Sequence, residues 1–336
     1  MFSRPQVSII IPVYNMQDEL PKCLESVVCQ TFTDYEVLVI NDGSTDNTAQ
    51  IIQNFKEQHP YFMCLTQPNQ GVAAARNAGL LRAEGTYVCF LDGDDFLEPH
   101  FLQRMVSAAQ KTGAEVCLCP RPVYEMPSGK IITEKFTCPP AMVGAEKAAA
   151  FESFQAVMSV CGKLVRREWL QKNNICFPLQ AVAEDILPSV QMLAHAPKTA
   201  FVADTASYYC VGGKNALSSR VQGKFTALFT AFMQAQKCLV SAGLYAAACA
   251  RGFENVRLTC LLSHISAFGL TAEEWQLAVE NRAELLAVPL GLLRGRAAVL
   301  KVQFFLLKLC LRCGVSYPRV WAKIARLKKS ACGKRV

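Results

Sequence analysis

The chain has 336 residues, of which 51% are hydrophobic and 18% charged, and its formal net charge is +8. This composition is typical of a globular protein, the sequence shows neither low complexity nor a fixed-period repeat, and we expect order up to the last few residues. The length predicts one large domain plus a smaller unit. Sixteen cysteines are scattered through predicted strands and helices, and the N-terminus lacks the long apolar run of a secretory signal. We therefore expect reduced thiols and a cytoplasmic location.

The positive charge is concentrated at the end of the chain. Twelve Lys or Arg and no Asp or Glu lie between Leu285 and Val336, which leaves 23 basic against 27 acidic residues in the rest. The sequence therefore predicts a mildly acidic body followed by a strongly basic C-terminal region.

Short apolar runs alternate with amphipathic helical patterns over the first 113 residues. The predicted strands are 7–11, 35–40, 61–65 and 86–91. The predicted helices follow apolar stripes at 20–28, 49–55 and 72–83, and a fourth begins at Glu98, with Pro99 in its first turn, and ends before Gly113. This alternation predicts an α/β fold with a mostly parallel sheet, in which ligands bind beyond the carboxyl ends of the strands.

The pattern changes after about residue 114. A strand is predicted in "AEVCLC", a hairpin in "YEMPSGKIITEKF", and an almost entirely helical region after Phe225. We place boundaries near residues 115 and 220, which divides the chain into 1–115, 116–220 and 221–336.

Three aspartates, Asp92, Asp94 and Asp95, directly follow the apolar run of the fourth strand. Two carboxylates one residue apart can reach a hard cation such as Mg²⁺ or Mn²⁺, which keeps open positions for phosphate oxygens. The alternative is a solvated acidic turn that caps the helix beginning near Glu98. Neither a G-x-G-x-x-G dinucleotide motif after the first strand nor a P-loop is present.

Four segments in this order and spacing, "VSIIIPVYN", "VLVINDGSTDNT", "NQGVAAARNAGL" and "YVCFLDGDDFLEP", resemble the nucleotide-binding half of the family 2 glycosyltransferases of bacterial polysaccharide type. The resemblance covers residues 7 to about 113. It implies a GT-A fold, which is the nucleotide-diphospho-sugar transferase fold with a mostly parallel central sheet, here followed by a C-terminal helical region. Segment 1–115 would then bind the nucleotide sugar and segment 116–220 the acceptor.

The resemblance implies roles for residues at the ends of the first two strands and in the third predicted helix. Pro12, Tyr14 and Asn15 would shape the nucleobase pocket, and Asp42 resembles the aspartate that hydrogen-bonds the base, usually uracil. Arg76 is similar to an arginine near the nucleotide phosphates, and a guanidinium suits a diphosphate. The alternative for Asp42 is an ordinary Asn-Asp-Gly turn, and the alternative for Arg76 is an exposed arginine on a helix.

The D-x-D motif of the family matches the aspartate cluster. Asp92 would face the ribose side, Asp94 would bind the metal together with Asp92, and Asp95 would be a supporting acid. Mg²⁺ or Mn²⁺ in this place neutralises a diphosphate leaving group.

The segment "CGKLVRREWLQKNNICFPLQAVAEDILPSVQML" is similar to the acceptor side of the family. The implied general base is Asp185, with Glu184 as its supporting neighbour. The alternative is that Asp185 only caps the following helix. The segment "SYYCVGGKNALSSR" departs from the Tyr-rich, Arg-containing segment of related enzymes, so no residue of it is included in the predicted site.

The basic C-terminal region interleaves apolar residues with Lys and Arg, as do helices that lie on an anionic membrane surface. Lys301 and Lys308 interrupt its longest apolar stretch, so we do not expect this region to cross a membrane. A helical subdomain with a solvated basic face is the alternative, and no nucleic-acid-binding module is present. We expect peripheral association with the inner face of the cytoplasmic membrane.

Together these observations predict an inverting glycosyltransferase that moves a sugar from a nucleotide diphosphate, expected to be UDP, to a hydroxyl of a glycan or lipid-linked glycan. A sugar nucleotidyltransferase is one alternative, but it would carry a Gly-rich loop after the first strand, where "PVYNMQDEL" has no Gly. A catalytically silent carbohydrate-binding or scaffold protein is the other, and Asp92, Asp94 and Asp185 argue against it.

Overall fold

The computed structural model describes residues 4–133, 138–152, 158–180, 182–212, 224–251, 253–268, 270–287, 298–313 and 317–318. The chain divides into two compact units. The first contains Met1–Ser219 and Gln234–Arg251, and the second contains Arg220–Met233 and Gly252–Val336. The predicted division of the first 220 residues near residue 115 stays a prediction.

Strands and helices alternate through most of the first unit. Its strands are β1 (Val7–Val13), β2 (Tyr35–Asn41), β3 (Phe62–Thr66), β4 (Tyr87–Phe90), β5 (Phe96–Leu97), β6 (Val116–Leu118), β7 (Val123–Glu125), β8 (Lys130–Ile132), β9 (Ala141–Val143), β10 (Lys163–Arg166), β11 (Lys198–Phe201) and β12 (Ser207–Val211).

The helices up to residue 195 are α1 (Leu20–Val28), α2 (Thr48–Gln58), α3 (Val72–Arg82), α4 (Phe101–Thr112), α5 (Arg167–Lys172) and α6 (Ile186–His195), with a 3-10 helix at Gly144–Glu152. The later helices are α7 (Lys224–Ser241), α8 (Tyr245–Arg251), α9 (Phe253–Phe268), α10 (Ala272–Glu280), α11 (Arg282–Ala287) and α12 (Ala298–Cys313).

Eight strands form the central sheet in the order β3-β2-β1-β4-β10-β6-β11-β9. Strands β3, β2, β1 and β4 run parallel, β10 runs antiparallel to both β4 and β6, and β11 runs parallel to β6. Because β10 is antiparallel to both of its neighbours, β6 points the same way as β1 and β4. The carboxyl ends of these strands therefore lie along one edge of the sheet, as the sequence predicts for the first four.

Helices cover both faces of this sheet because successive side chains of a strand point to opposite sides. On one face Ile9 and Val37 pack in a cluster with α1, α2 and α4. On the other face Ile10 and Leu38 pack with α3, α5 and α6. At Gly79 of α3 a Cβ atom would overlap Cγ2 of Ile10, so only glycine permits this close approach of helix and sheet.

A second, smaller sheet has the order β5-β12-β7-β8. The antiparallel pair β7 and β8 confirms the predicted hairpin around residues 127–129. The pairing of β5 with β12 brings the chain immediately after the aspartate cluster against Ser207 and Tyr208.

One predicted boundary is wrong. The fourth helix, predicted from Glu98, begins at Phe101. The Glu98 N–H donates to the carbonyl of Ala206 and the Pro99 carbonyl accepts from Thr31, so long-range partners keep this backbone outside the helix. The other predicted helices of the first 113 residues are present, with ends that differ by a few residues.

The second unit is helical in its described residues, as predicted for the chain after Phe225. A separate apolar core joins Phe225 and Phe229 of α7 to Leu258, Leu262 and Ile265 of α9. No helix of the described residues combines the length and apolar character needed to cross a bilayer.

Candidate active site

Three loops that carry the predicted site residues lie at the same edge of the central sheet. Strand β1 leads into Tyr14 and Asn15, β2 into Asp42, and β4 into Asp92. The Asp42 N–H donates to the Val13 carbonyl at 2.9 Å and the Leu91 N–H to the Ile10 carbonyl at 3.1 Å, so the register of the strands holds the loop starts together.

The segment after β1 is tied to the loop after β2. Pro12 is buried within β1, and Asn15 adopts a left-handed backbone conformation with a φ of +52°. The Asn15 side-chain oxygen accepts from the Thr45 N–H at 2.8 Å, while its own N–H donates to Oγ of Ser44 at 3.0 Å. Tyr14 stays 38% exposed, so its ring is accessible for contact with a ligand.

Asp42 is buried and its carboxylate accepts three hydrogen bonds from the loop before α3. The donors are Nε2 of Gln67 at 2.8 Å, the Gln70 N–H at 3.0 Å and the Gly71 N–H at 2.8 Å. An ordinary Asn-Asp-Gly turn makes hydrogen bonds within the turn, whereas these three bonds join the end of β2 to the start of α3. Direct contact of Asp42 with a base stays a prediction.

Arg76 is the central cation of the site. It is only 3% exposed, which excludes the alternative of an exposed helical arginine. Its Nη2 lies 2.7 Å from Oδ1 of Asp92 and its Nη1 lies 2.7 Å from Oε1 of Glu184. One guanidinium therefore joins the loop after β4 to the segment before α6, although these two carboxylates are far apart in sequence.

A second buried guanidinium, that of Arg121, was not predicted from the sequence. It forms an ion pair with Asp95 and lies 4.0 Å from Oδ2 of Asp92 and 4.7 Å from the ring centre of Tyr209. Asp95 also accepts from the Cys210 N–H at 2.9 Å. Arg121 follows β6, whose carboxyl end lies at the same edge as that of β4, so the strand-end rule could have indicated it.

The same cluster contains Lys163 of β10, which is fully buried. Its ammonium donates to the Ser159 carbonyl, and burial lowers the pKa of Lys163 to about 7 although the charge of Asp185 opposes this shift. The thiol of Cys161 is also buried here, within reach of the Asp92 and Asp95 carboxylates. A strand lysine in an apolar context gives no sequence signal of such a position.

The three aspartates of the cluster differ in their partners. Burial favours the neutral form of Asp92, but Arg76 and then Arg121 outweigh it and hold the pKa of Asp92 below its ordinary value. Asp95 is engaged by Arg121. For Asp94, burial and then the charge of Asp92 raise the pKa to about 6, and the charge of Glu19 adds to this effect.

Within the described part of the chain, Asp94 differs from Asp92 and Asp95 in its lack of a cationic partner, although the ligand atoms that lie closest together belong to Asp92, Asp95 and Cys161. Among the described residues, no Lys or Arg forms an ion pair with Asp94, whereas Asp92 and Asp95 each have a guanidinium partner. A partly buried carboxylate without a cationic partner is costly, and an oxygen-loving metal would offset that cost. The assignment of Asp94 and Asp92 as the ligands stays a prediction.

The aspartate cluster does not cap a helix. The residue before α4 is His100, and neither its side chain nor the cluster caps that helix with a hydrogen bond. Asp185 immediately precedes α6, yet its side chain makes no capping hydrogen bond either. Neither capping alternative therefore explains these carboxylates.

Asp185 has the properties of a proton acceptor. It is partly accessible to solvent, and Ala183, two residues earlier, has a φ of +61°, an uncommon conformation for alanine. Burial and then the adjacent Glu184 raise the pKa of Asp185 to about 7, which Arg76 partly opposes. A carboxylate with a pKa near neutrality can hold a proton during a reaction and release it afterwards.

The family described as Glycosyl transferase family 2 matches residues 8–173. The uncharacterized glycosyltransferase YibD of Escherichia coli K12 is 30% identical over 214 residues, which are 62% of this chain and 62% of that protein. The chondroitin synthase of Pasteurella multocida is 36% identical over 135 residues, which are 40% of this chain and 14% of the synthase. The chain thus spans less than two thirds of these relatives.

Solved structures show the same fold over nearly the whole chain. The structure of Staphylococcus aureus TarS 1–349 in complex with UDP-GlcNAc has a TM-score of 0.68 at 21% identity and covers 93% of both chains. The mannosyltransferase PcManGT of Pyrobaculum calidifontis, in complex with GDP-Man and Mn²⁺, has a TM-score of 0.54 at 16% identity and covers 92% of this chain and 88% of the other. The predicted GT-A fold is confirmed.

The family match and the fold of the solved structures agree with the resemblance inferred from the four sequence segments. This chain carries a glycosyl transferase family 2 domain at residues 8–173.

Proposed function

We propose that this protein is an inverting, metal-assisted glycosyltransferase that moves a sugar from a UDP-sugar to a hydroxyl of a glycan or lipid-linked glycan. The observation that carries this proposal is the Arg76 guanidinium between Asp92 and Glu184, at 2.7 Å from each. This contact brings the loop expected to bind the nucleotide to the segment expected to meet the acceptor. A donor and an acceptor bound on its two sides would be adjacent.

Asp185 is the proposed base. Its carboxylate takes the proton of the acceptor hydroxyl as that oxygen attacks the anomeric carbon, and the bond from this carbon to the diphosphate breaks in the same step. A single displacement of this kind inverts the anomeric configuration and needs no covalent enzyme intermediate. Glu184, held by Arg76, supports Asp185 by raising its pKa toward neutrality.

The remaining charged groups would position the donor. Arg76 and Arg121 provide positive charge near the diphosphate, while Tyr14 and the loops after β1 and β2 enclose the nucleoside. A bound Mg²⁺ or Mn²⁺ at Asp94 and Asp92 would supply Lewis-acid stabilisation of the departing diphosphate. A UDP donor is supported by the TarS neighbours in complex with UDP-GlcNAc and with UDP, although PcManGT carries GDP-Man.

Association with an anionic membrane surface is the second part of the proposal. Helix α12 buries Leu307 and Leu311 in the apolar core of its unit but leaves Phe305 53% and Leu309 45% exposed. Exposed apolar side chains in a region with twelve basic and no acidic residues suit an interface of anionic lipids. A lipid-linked acceptor would be presented at such a surface. The basic residues after 318 lie outside the described residues.

The test of the proposed reaction is Asp185→Asn. Since asparagine is isosteric but cannot accept the proton, we expect transfer from the donor to be lost while UDP binding stays close to that of the wild type. Asp34→Asn, at an exposed position, is the matched control and should retain transfer. Full transfer by the Asp185→Asn variant would exclude Asp185 as the base.

A further inference from the structure

The start of helix α1 packs against the aspartate loop. Sγ of Cys23 lies 3.6 Å from the Asp92 carbonyl oxygen. A Cβ atom at Gly93 would lie 2.7 Å from Sδ of Met16, which precedes the same helix. Glu19 lies between these contacts, one helical turn before Cys23 and on the same buried side. Met16 and Cys23 therefore lie against the loop that contains Asp92 and Asp94, with Glu19 between them in the chain.

Glu19 is a buried carboxylate for which the described residues offer no ion-pair partner. It is only 8% exposed, and its Oε2 atom has no hydrogen-bond partner among the described residues. It does not cap α1, the helix that it immediately precedes. Lys22, one turn later, lies 3.8 and 3.7 Å from the ring centres of Phe96 and Tyr124 instead of pairing with it.

We propose that Glu19 contributes a carboxylate to the divalent cation site at Asp94, so that the cation is held from the start of α1 as well as from the loop after β4. This inference rests on the proposed metal-assisted function. Two partly or fully buried carboxylates on segments that pack together repel each other and lose hydration, and a divalent ion offsets both costs. Oxygen ligands from more than one segment are typical of sites for Mg²⁺ and Mn²⁺.

The experiment measures Mn²⁺ binding to the full chain without nucleotide or acceptor. Electron paramagnetic resonance reports free Mn²⁺ directly, and the Mn²⁺-dependent rise in melting temperature is a second readout. We expect Glu19→Gln to weaken Mn²⁺ binding by about tenfold or more, as loss of a supporting metal partner does elsewhere. Glu25→Gln, on the exposed side of α1, is the matched control and should bind Mn²⁺ like the wild type.

The Asp94→Asn variant separates this inference from the proposed function. If Asp94→Asn loses Mn²⁺ binding while Glu19→Gln keeps wild-type affinity, the role of Glu19 is refuted and the metal site stands. If neither the wild type nor any variant binds Mn²⁺, both proposals fail. A general folding defect in Glu19→Gln would lower its melting temperature in the absence of metal, whereas removal of an unpaired buried charge should leave that temperature unchanged or higher.

Discussion

Arg76 and Glu184 are 108 residues apart in the chain, yet Nη1 of the arginine lies 2.7 Å from Oε1 of the glutamate. The same guanidinium binds Asp92, so one buried cation compensates two carboxylates from different segments. The pair thus ties together the two parts of the site, and its removal should affect both stability and chemistry.

We expect Arg76→Met to lower the free energy of unfolding by about 3–5 kcal/mol, because two shielded carboxylates would lose their cation. Urea denaturation followed by circular dichroism measures the change. Arg82→Met, at an exposed position in the last turn of the same helix, should stay within about 0.5 kcal/mol of the wild type. Equal effects of the two substitutions would contradict the structural role of Arg76.

The pH dependence of transfer should report Asp185. Because the base must be unprotonated and its pKa is raised to about 7, kcat/KM should fall by about tenfold per pH unit below this value and level off above it. Burial is the main cause of the raised pKa of Asp185 and the charge of Glu184 is the next. Glu184→Gln should therefore move the acidic limb of the kcat/KM profile to lower pH. Arg76, no longer paired with Glu184, would lower the pKa of Asp185 further. A limb that does not move would show that another group titrates.

The donor class can be read from thermal shifts of the intact chain. A ligand at a hundred times its Kd stabilises the folded protein by about 2.7 kcal/mol, which raises the melting temperature by several degrees. We expect such a shift with a UDP-sugar and Mn²⁺ and a smaller one with the UDP-sugar and EDTA. A larger rise in melting temperature with GDP-mannose than with the UDP-sugar would contradict the proposal of a UDP donor.

The packing of α3 on the sheet can be tested at Gly79. Alanine in a helix interior is favoured over glycine by about 1 kcal/mol, so propensity alone predicts that Gly79→Ala stabilises the protein. The overlap of its Cβ with Ile10 predicts the opposite, a loss of about 1–3 kcal/mol. We would measure the free energy of unfolding of Gly79→Ala, Ile10→Ala and the double variant. The double variant should lose less stability than the sum of the two single losses, because Ile10→Ala removes the overlap. Additive effects would show that the two sites do not touch.

The membrane surface proposed for α12 predicts a loss of lipid binding. The variant Phe305→Ser/Leu309→Ser should sediment less with vesicles that contain anionic lipid than the wild type does, because both exposed apolar side chains are removed. Val240→Ser, at a position 57% exposed on α7, is the control and should bind as the wild type. Binding that is independent of Phe305 and Leu309 would refute this surface, and binding equal on neutral vesicles would refute the electrostatic contribution.

Local signals were sufficient for most of the nucleotide-side elements. Alternating buried runs and helical stripes depend on neighbouring residues, so β1 to β4 and α1 to α3 were predicted with ends a few residues from those observed. The start of α4 was wrong because the partner of Glu98 is Ala206, more than a hundred residues away. A local pattern carries no information about such a hydrogen bond.

The sequence by itself determined the family, the order of strands and helices, and the positions of the acidic groups at strand ends, because these follow from motifs and from side-chain periodicity. Only the tertiary structure decided which charges meet. Arg121 and Lys163 enter the cluster because β10 runs antiparallel between β4 and β6, and the start of α1, which includes Cys23, packs against the aspartate loop. Charge pairing depends on distances of a few ångströms across the fold, and sequence spacing does not encode those distances.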